Sequence, residues 1–321
     1  MRAIVVTEHG GPEVLRPAET ADPRPGPGEV IVDVEARGVN FIDVYQRSGA
    51  YATPLPFTPG VEAVGTVGEL GPDVTGVTVG QRVGWVMLPG GYAERAAVPA
   101  DRTVPIPDGV TSEQAAAVLL QGLTAHYLTH TTYPVQPGDT VLVHAAAGGT
   151  GLLLTQLAKL RGARVIGTVS TGAKEEAARA AGADEIVRYT ETDVADAVRR
   201  LTDGAGVQAV YDGVGATTFD ASLACLRPRG VLALFGQSSG AVPPVDPQRL
   251  NSAGSVYLTR PSLAHYTADR EELLERASDV LGLVGTGSLK VHVGGRYDLA
   301  DAARAHEDLT GRRTTGKLLL G

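Results

Sequence analysis

The sequence predicts a two-part α/β protein, a β-rich N-terminal part followed by a doubly wound parallel sheet. Three observations carry this. Short apolar runs punctuated by Gly and Pro fill the first third, an aliphatic run enters a Gly-rich turn at residues 141–151, and strand and helix patterns alternate after it. A chain of 321 residues accommodates two domains of ordinary size. A hydrophobic content of 43% and a charged content of 20% suit a globular protein. The net charge of −8, with no block of Lys or Arg, gives no electrostatic reason to bind nucleic acid. No apolar run reaches transmembrane length, and the N-terminus opens into a strand pattern without signal-peptide architecture, so the expected location is cytoplasmic. The single cysteine, Cys225, excludes an intrachain disulfide and a cysteine-cage zinc site, and its apolar surroundings read it as a small buried hydrophobe.

In chain order, segments 2–7, 30–36, 63–69, 81–86 and 93–98 read as short strands of a barrel or sandwich. Gly10-Gly11-Pro12, the Pro/Gly run 23–28 and Pro89-Gly90-Gly91 break them apart. Thr111-Ser112-Glu113-Gln114 has the form of a capping box, and a helix over 115–128 follows. Then come a strand at 141–143, a helix at 152–161 ending at Gly162, a strand at 164–169 and a helix at 173–181 ending at Gly182. A helix at 190–201, a strand at 207–211, a helix at 217–226 and a strand at 231–235 complete the alternation. Beyond Leu258 the pattern changes to helices at 270–284 and 299–309 and a strand at 316–320. This tail is too short for its own core and is expected to return to the N-terminal domain.

The turn Ala146, Ala147, Gly148, Gly149, Thr150, Gly151 fits the dinucleotide fingerprint, with alanine at the first glycine position. A helix N-terminus accepts a pyrophosphate where no side chain blocks its backbone N–H groups. An ordinary Gly-rich turn would look the same over these residues, so the flanks decide. Sites that bind NAD place a carboxylate some twenty residues on to hold the ribose hydroxyls. Here the second strand instead runs into Ser170-Thr171-Gly172-Ala173-Lys174. Hydroxyls and an ammonium suit a 2′-phosphate, which an acid would repel, so Ser170 and Lys174 point to NADPH. Lys174 as a solvated first-turn lysine is the plainer alternative.

Six segments then resemble the zinc-free quinone oxidoreductases related to zeta-crystallin, of the medium-chain dehydrogenase/reductase superfamily. They are Gly38-Val39-Asn40-Phe41-Ile42-Asp43-Val44-Tyr45, Pro59-Gly60-Val61-Glu62-Ala63, Ala145 through Gly151, Val210 through Gly215, Phe235 through Gly240, and Thr259 through Leu263. The resemblance spans the whole chain. It implies a discontinuous GroES-like catalytic domain (1–122 and 262–321) and a Rossmann domain (123–261). Zinc members of the superfamily carry Cys at the place of Asn40 and His at the place of Val61. A catalytic zinc needs about three protein ligands, so no metal is expected. The resemblance also implies that Asn40, Asp43, Tyr45 and Tyr51 line the acceptor cleft. Tyr45 and Asn40 either orient the acceptor or serve as a packed tyrosine and a helix-capping asparagine. Asp43 shapes the pocket or fixes a neighbour. Cofactor contacts are implied for Thr124 near the nicotinamide, Lys174 and Tyr189 at the adenosine phosphate, Phe235 and Ser238 by the later strand, and Arg312 in the tail.

The resulting expectation is NADPH-dependent quinone reduction by a homodimer joined through the strand edge at 255–258. Reduction of enone double bonds is the nearest alternative. A structural or RNA-binding role, known among zeta-crystallin relatives, fits the acidic charge poorly. His144, His126 and His130 lack a matching third ligand and read as structural, although 126 and 130 have a metal-compatible spacing.

Overall fold

A computed structural model describes residues 1–321, which form two compact units, Met1–Leu123 with Tyr266–Gly321, and Thr124–His265. In the first unit the central strand is Glu29–Val39, whose aliphatic residues Val30, Ile31 and Val32 are fully buried. It pairs antiparallel with Glu62–Leu70, Arg95–Pro99 and the C-terminal strand Lys317–Leu320. The last pairing brings the tail home, as expected of a segment that cannot bury its own apolar face. Val293–Tyr297 lies parallel beyond it, and Arg82–Val86 and Val104–Pro105 extend the sheet on the other side. Register shifts between Ile31/Val32 and Val34/Ala36 mark bulges, which let one long strand bend and serve several partners.

The second unit is a six-stranded, wholly parallel sheet. In chain order its strands are Thr140–Val143, Arg164–Val169, Glu185–Arg188, Val207–Asp212, Leu226–Leu234 and Tyr257–Thr259. Across the sheet they run third, second, first, fourth, fifth, sixth. This is the Rossmann order, and it reverses between the first and fourth strands, where such sheets bind ligands. Leu142, Ile166, Val210 and Leu232 form part of its core, each fully buried.

Most elements fall where the sequence places them, with instructive exceptions. Thr111 and Gln114 make both halves of the capping box, Gln114 N–H to Thr111 Oγ1 at 3.2 Å and Thr111 N–H to Gln114 Oε1 at 2.9 Å. The expected helix 190–201 is only Val194–Leu201, because Asp193 caps it by accepting from Asp196 N–H. Ahead of it Glu185–Arg188 is a strand, which its polar half-exposed composition hides from a hydrophobicity pattern. The helix Phe41–Arg47 and the strands Arg16–Glu19 and Val293–Tyr297 likewise lack a clear periodic signal. No helix is long and apolar enough to cross a membrane.

Candidate active site

In the second unit, the helix Gly149–Leu160 begins at Gly148 without any side-chain cap. Its first-turn N–H groups therefore face outward from the strand end. A Cβ on Gly151 would lie 2.3 Å from Ala145 O, and one on Gly148 3.2 Å from the same oxygen. Glycine at 151 is thus required by close backbone approach, as the fingerprint demands. The alanine at the first position has its own compensation. A Cβ on Gly167 of the neighbouring strand would meet Ala146 Cβ at 2.9 Å, so Gly167 makes the room that Ala146 uses. The cradle a dinucleotide phosphate needs is therefore present.

The next strand leads into Ser170 and then into the helix Gly172–Ala180, capped by Thr171, with Lys174 half-buried in its first turn. Tyr189 is 43% exposed. Thr124 is buried in the helix Ser112–Tyr127. Phe235 packs closely over Gly213, where a Cβ would approach its ring at 2.8 Å, and Ser238 N–H donates to Gly213 O at 3.3 Å. Arg312, in the first unit, is exposed with a left-handed φ of 55°.

In the first unit, the register of the central strand sets the site. Arg37 pairs with Ala63 and Leu318 with Val39, so Glu62, Lys317 and Asn40 meet where the strand ends. Gly38 is necessary there, since a Cβ would stand 2.1 Å from Glu62 Oε2. Lys317, 2% exposed, donates to Glu62 Oε2 at 2.6 Å, Asn40 Oδ1 at 2.7 Å and Gln121 Oε1 at 2.7 Å. Glu62, wholly buried, also accepts from Leu120 N–H at 2.7 Å and Asn40 Nδ2 at 3.1 Å. Asn40 Nδ2 further donates to Gly38 O, and its Oδ1 accepts from Gln121 Nε2 at 2.6 Å. The Asn40 amide is thus committed to partners inside the protein. Burial pulls the Lys317 ammonium down, opposed by the Glu62 charge.

Asp43 belongs to an adjoining buried chain. Its carboxylate accepts from Asn40 N–H at 2.9 Å, Val61 N–H at 3.1 Å and Tyr92 O–H at 3.2 Å, and Tyr92 in turn meets His306 Nε2 at 3.1 Å. Burial pushes the Asp43 carboxyl up to about 7, against the pull of those two backbone donors. Burial, with help from the Arg47 charge, lowers His306 to about 3. Asp43 therefore fixes its neighbours. It anchors the start of the helix Phe41–Arg47, whose half-buried Phe41 and Tyr45 have ring centroids 6.2 Å apart. Tyr51, also half-buried, tilts against Tyr45 at 5.1 Å. These rings form an aromatic wall, a surface of the kind that holds flat, apolar groups.

Lys317, Gln121, Tyr92 and His306 join the site without any sequence motif to announce them. Each lies far in sequence from its partners, Lys317 and Glu62 being 255 positions apart. No group of three or more His, Cys, Asp or Glu side chains is placed to hold a metal ion. His126 and His130 stack with centroids 4.0 Å apart.

Residues 26–108 match the alcohol dehydrogenase GroES-like domain, and residues 149–279 match the zinc-binding dehydrogenase family. A quinone oxidoreductase of Pseudomonas aeruginosa is 44% identical over 321 residues, covering 99% of each chain. A 2-haloacrylate reductase of a Burkholderia species is 41% identical over 99% of this chain and 98% of that protein. A solved mycobacterial structure complexed with NADPH is 56% identical with a TM-score of 0.97, covering 100% of this chain and 99% of that one. From its paired domains, its Rossmann turn and these full-length likenesses, the chain belongs to the quinone oxidoreductase family of the medium-chain dehydrogenase/reductase superfamily.

Proposed function

We propose that this protein reduces quinones with NADPH and without a metal. The observation that carries the reading is the commitment of Asn40 and Glu62 to the Lys317 ammonium. At the position of a zinc-ligand cysteine stands an amide already engaged, beside a carboxylate already neutralised, and Val61 supplies no donor. With no Lewis acid to polarise a carbonyl, the acceptor must itself be electron-poor, and a quinone is.

The uncapped turn Ala146–Gly151 would take the pyrophosphate through backbone N–H groups, and Ser170, Lys174 and Tyr189 would hold the adenosine 2′-phosphate. Thr124, Phe235, Ser238 and Arg312 are assigned further cofactor contacts. When bound, NADPH supplies the reducing equivalent as hydride. Tyr45 and Tyr51, whose rings tilt against each other, hold the acceptor ring by stacking. The Tyr45 hydroxyl is the proton donor or orienting group. Asn40 and Asp43 act through the helix Phe41–Arg47, which they hold in place. The mycobacterial NADPH complex and the quinone oxidoreductase relatives support this reading.

A second reading is favoured by the 2-haloacrylate reductase likeness, because a haloacrylate is an alkene conjugated to a carboxylate. Steady-state turnover of purified protein with NADPH against quinones, enones, aldehydes and alcohols separates the two. Turnover with quinones supports the proposal, and turnover with enones but not quinones replaces it by alkene reduction. The protein is further proposed to be cytoplasmic and to pair as a homodimer through the edge strand Tyr257–Thr259, whose Tyr257 is 64% exposed.

A further inference from the structure

Beneath the Gly-rich turn lies a buried polar chain that cofactor chemistry does not touch. His144, Thr168, Asp212 and Ser222 are each no more than 2% exposed. His144 Nδ1 stands 3.0 Å from Thr168 Oγ1, and His144 Nε2 stands 3.0 Å from Ser222 Oγ. Ser222 Oγ lies 2.7 Å from Asp212 Oδ2, and Ala145 N–H donates to Thr168 Oγ1 at 3.3 Å.

With His144 neutral, one placement of protons satisfies every contact. The Asp212 carboxylate accepts and cannot donate. It takes Val214 N–H at 2.8 Å, Gly215 N–H at 3.0 Å, Thr218 O–H at 2.7 Å and the Ser222 hydroxyl. Ser222 has a single proton, spent on Asp212, so it meets His144 as an acceptor. His144 must then carry its proton on Nε2. The bare Nδ1 accepts from the Thr168 hydroxyl, whose oxygen receives Ala145 N–H. Burial keeps the imidazole neutral against the pull of the Asp212 charge. Although serine, histidine and aspartate meet here, the serine stands in the middle with its proton directed at the acid. Sealed from solvent in that order, it is no nucleophile.

The chain runs one way from the start of the turn to the fourth strand: His144 and Thr168 adjoin segments proposed to hold cofactor, Ser222 bridges from the helix Phe219–Cys225, and Asp212 ends the strand that leads into the loop beneath Phe235. Ala145 opens the pyrophosphate turn with a left-handed φ of 50°. An alanine adopts that conformation only against a steric penalty between its Cβ and the backbone, so it needs a partner to hold it. Thr168 precedes Ser170 and Lys174 and also accepts Ala146 N–H through its carbonyl at 3.1 Å. Asp212 shapes the loop Gly213–Gly215 beneath Phe235. We propose that His144, Ser222 and Asp212 are positioning residues for NADPH, a directional chain that sets the spacing of the three loops around it. The inference rests on reading this unit as the NADPH site.

Nitrogen-15 NMR of the histidine ring and fluorescence titration with NADPH test it together. The wild type should show His144 protonated on Nε2. Ser222→Ala should lose that fixed tautomer and raise the Kd and KM for NADPH about tenfold, with kcat within about twofold. Thr168→Val should do the same, and Thr168→Ser, which keeps the hydroxyl, should restore wild-type affinity. Folded Ser222→Ala and Thr168→Val variants that bind NADPH like the wild type would overturn the inference. So would a wild-type His144 protonated on Nδ1, a result that needs no variant to fold. A wild type that fails to bind NADPH at all would instead remove the cofactor reading itself.

Discussion

Replacing Lys317 by methionine keeps an unbranched stem and deletes one charge from a sealed site. Lys317 is 2% exposed and Glu62 is 0% exposed, so water cannot take over the role of the ammonium. Three acceptors lose a donor at once, Glu62 Oε2, Asn40 Oδ1 and Gln121 Oε1. Glu62 keeps Leu120 N–H and Asn40 Nδ2, which soften the loss without neutralising its charge. Breaking a buried pair in this way costs about 3–5 kcal/mol. At roughly 2–4 °C per kcal/mol for a domain of this size, the melting temperature should fall by about 6–20 °C. Pairing Lys317→Met with Glu62→Gln removes the orphaned charge as well, and should recover much of the loss, because uncharged replacements of buried pairs are often near neutral. Urea and thermal unfolding of the two variants measure this. A Lys317→Met loss below about 1 kcal/mol, the range of solvent-exposed pairs, would refute the reasoning. So would a double variant no more stable than the single one.

Gly151→Ala would drive its methyl to 2.3 Å from Ala145 O, a backbone atom that cannot yield cheaply; NADPH affinity should fall at least about tenfold, about 1.4 kcal/mol, as read by titration. Lys174→Ala should raise the KM for NADPH by about tenfold or more and leave that for NADH nearly unchanged, since only the former carries the 2′-phosphate; an equal effect on both in steady-state assays would remove the phosphate assignment. Asp43 and His306 give stability pH slopes of opposite sign. Asp43, raised by burial to about 7, contributes stability that is full below about pH 4 and lost as pH rises through 7. His306, lowered by burial to about 3, contributes stability present above about pH 6.5 and lost as pH falls through 3. The two slopes oppose each other between about pH 4 and 6.5, so in urea unfolding Asp43→Asn should unmask a steeper loss towards acid, and His306→Gln a decline as pH rises from about 4 to 7.

The parts legible in the sequence are those with a local cause. The helix cap at Thr111 and Gln114, the strand at 164–169 and the Gly-rich turn follow from short-range chemistry, and the structure shows each. The strand Glu185–Arg188 is hidden because it lies at the edge of its sheet with only Val187 buried, so half-exposed polar residues replace the apolar run of a central strand. The buried polar cluster is hidden for a different reason. Lys317 begins an otherwise aliphatic strand and looks like a surface lysine ahead of Leu318, Leu319 and Leu320. Only the pairing of that strand with the end of Glu29–Val39 turns its ammonium onto Glu62. Likewise Asn40 reads in sequence as a helix cap or an acceptor ligand, and the fold spends its amide on Gly38, Glu62, Gln121 and Lys317. Gly167, whose missing side chain admits Ala146, carries no fingerprint of its own.

The central claim, quinone reduction by NADPH through a site closed to metal, is tested most directly by quinone-dependent oxidation of the reduced nicotinamide cofactor after exhaustive dialysis against a chelator. The account predicts undiminished turnover with a 1,4-benzoquinone, and kcat/KM at least about tenfold higher for NADPH than for NADH, as one lost phosphate contact of about 1.4 kcal/mol would give. Activity that disappears on chelation and returns with zinc, or equal use of NADH, would contradict it.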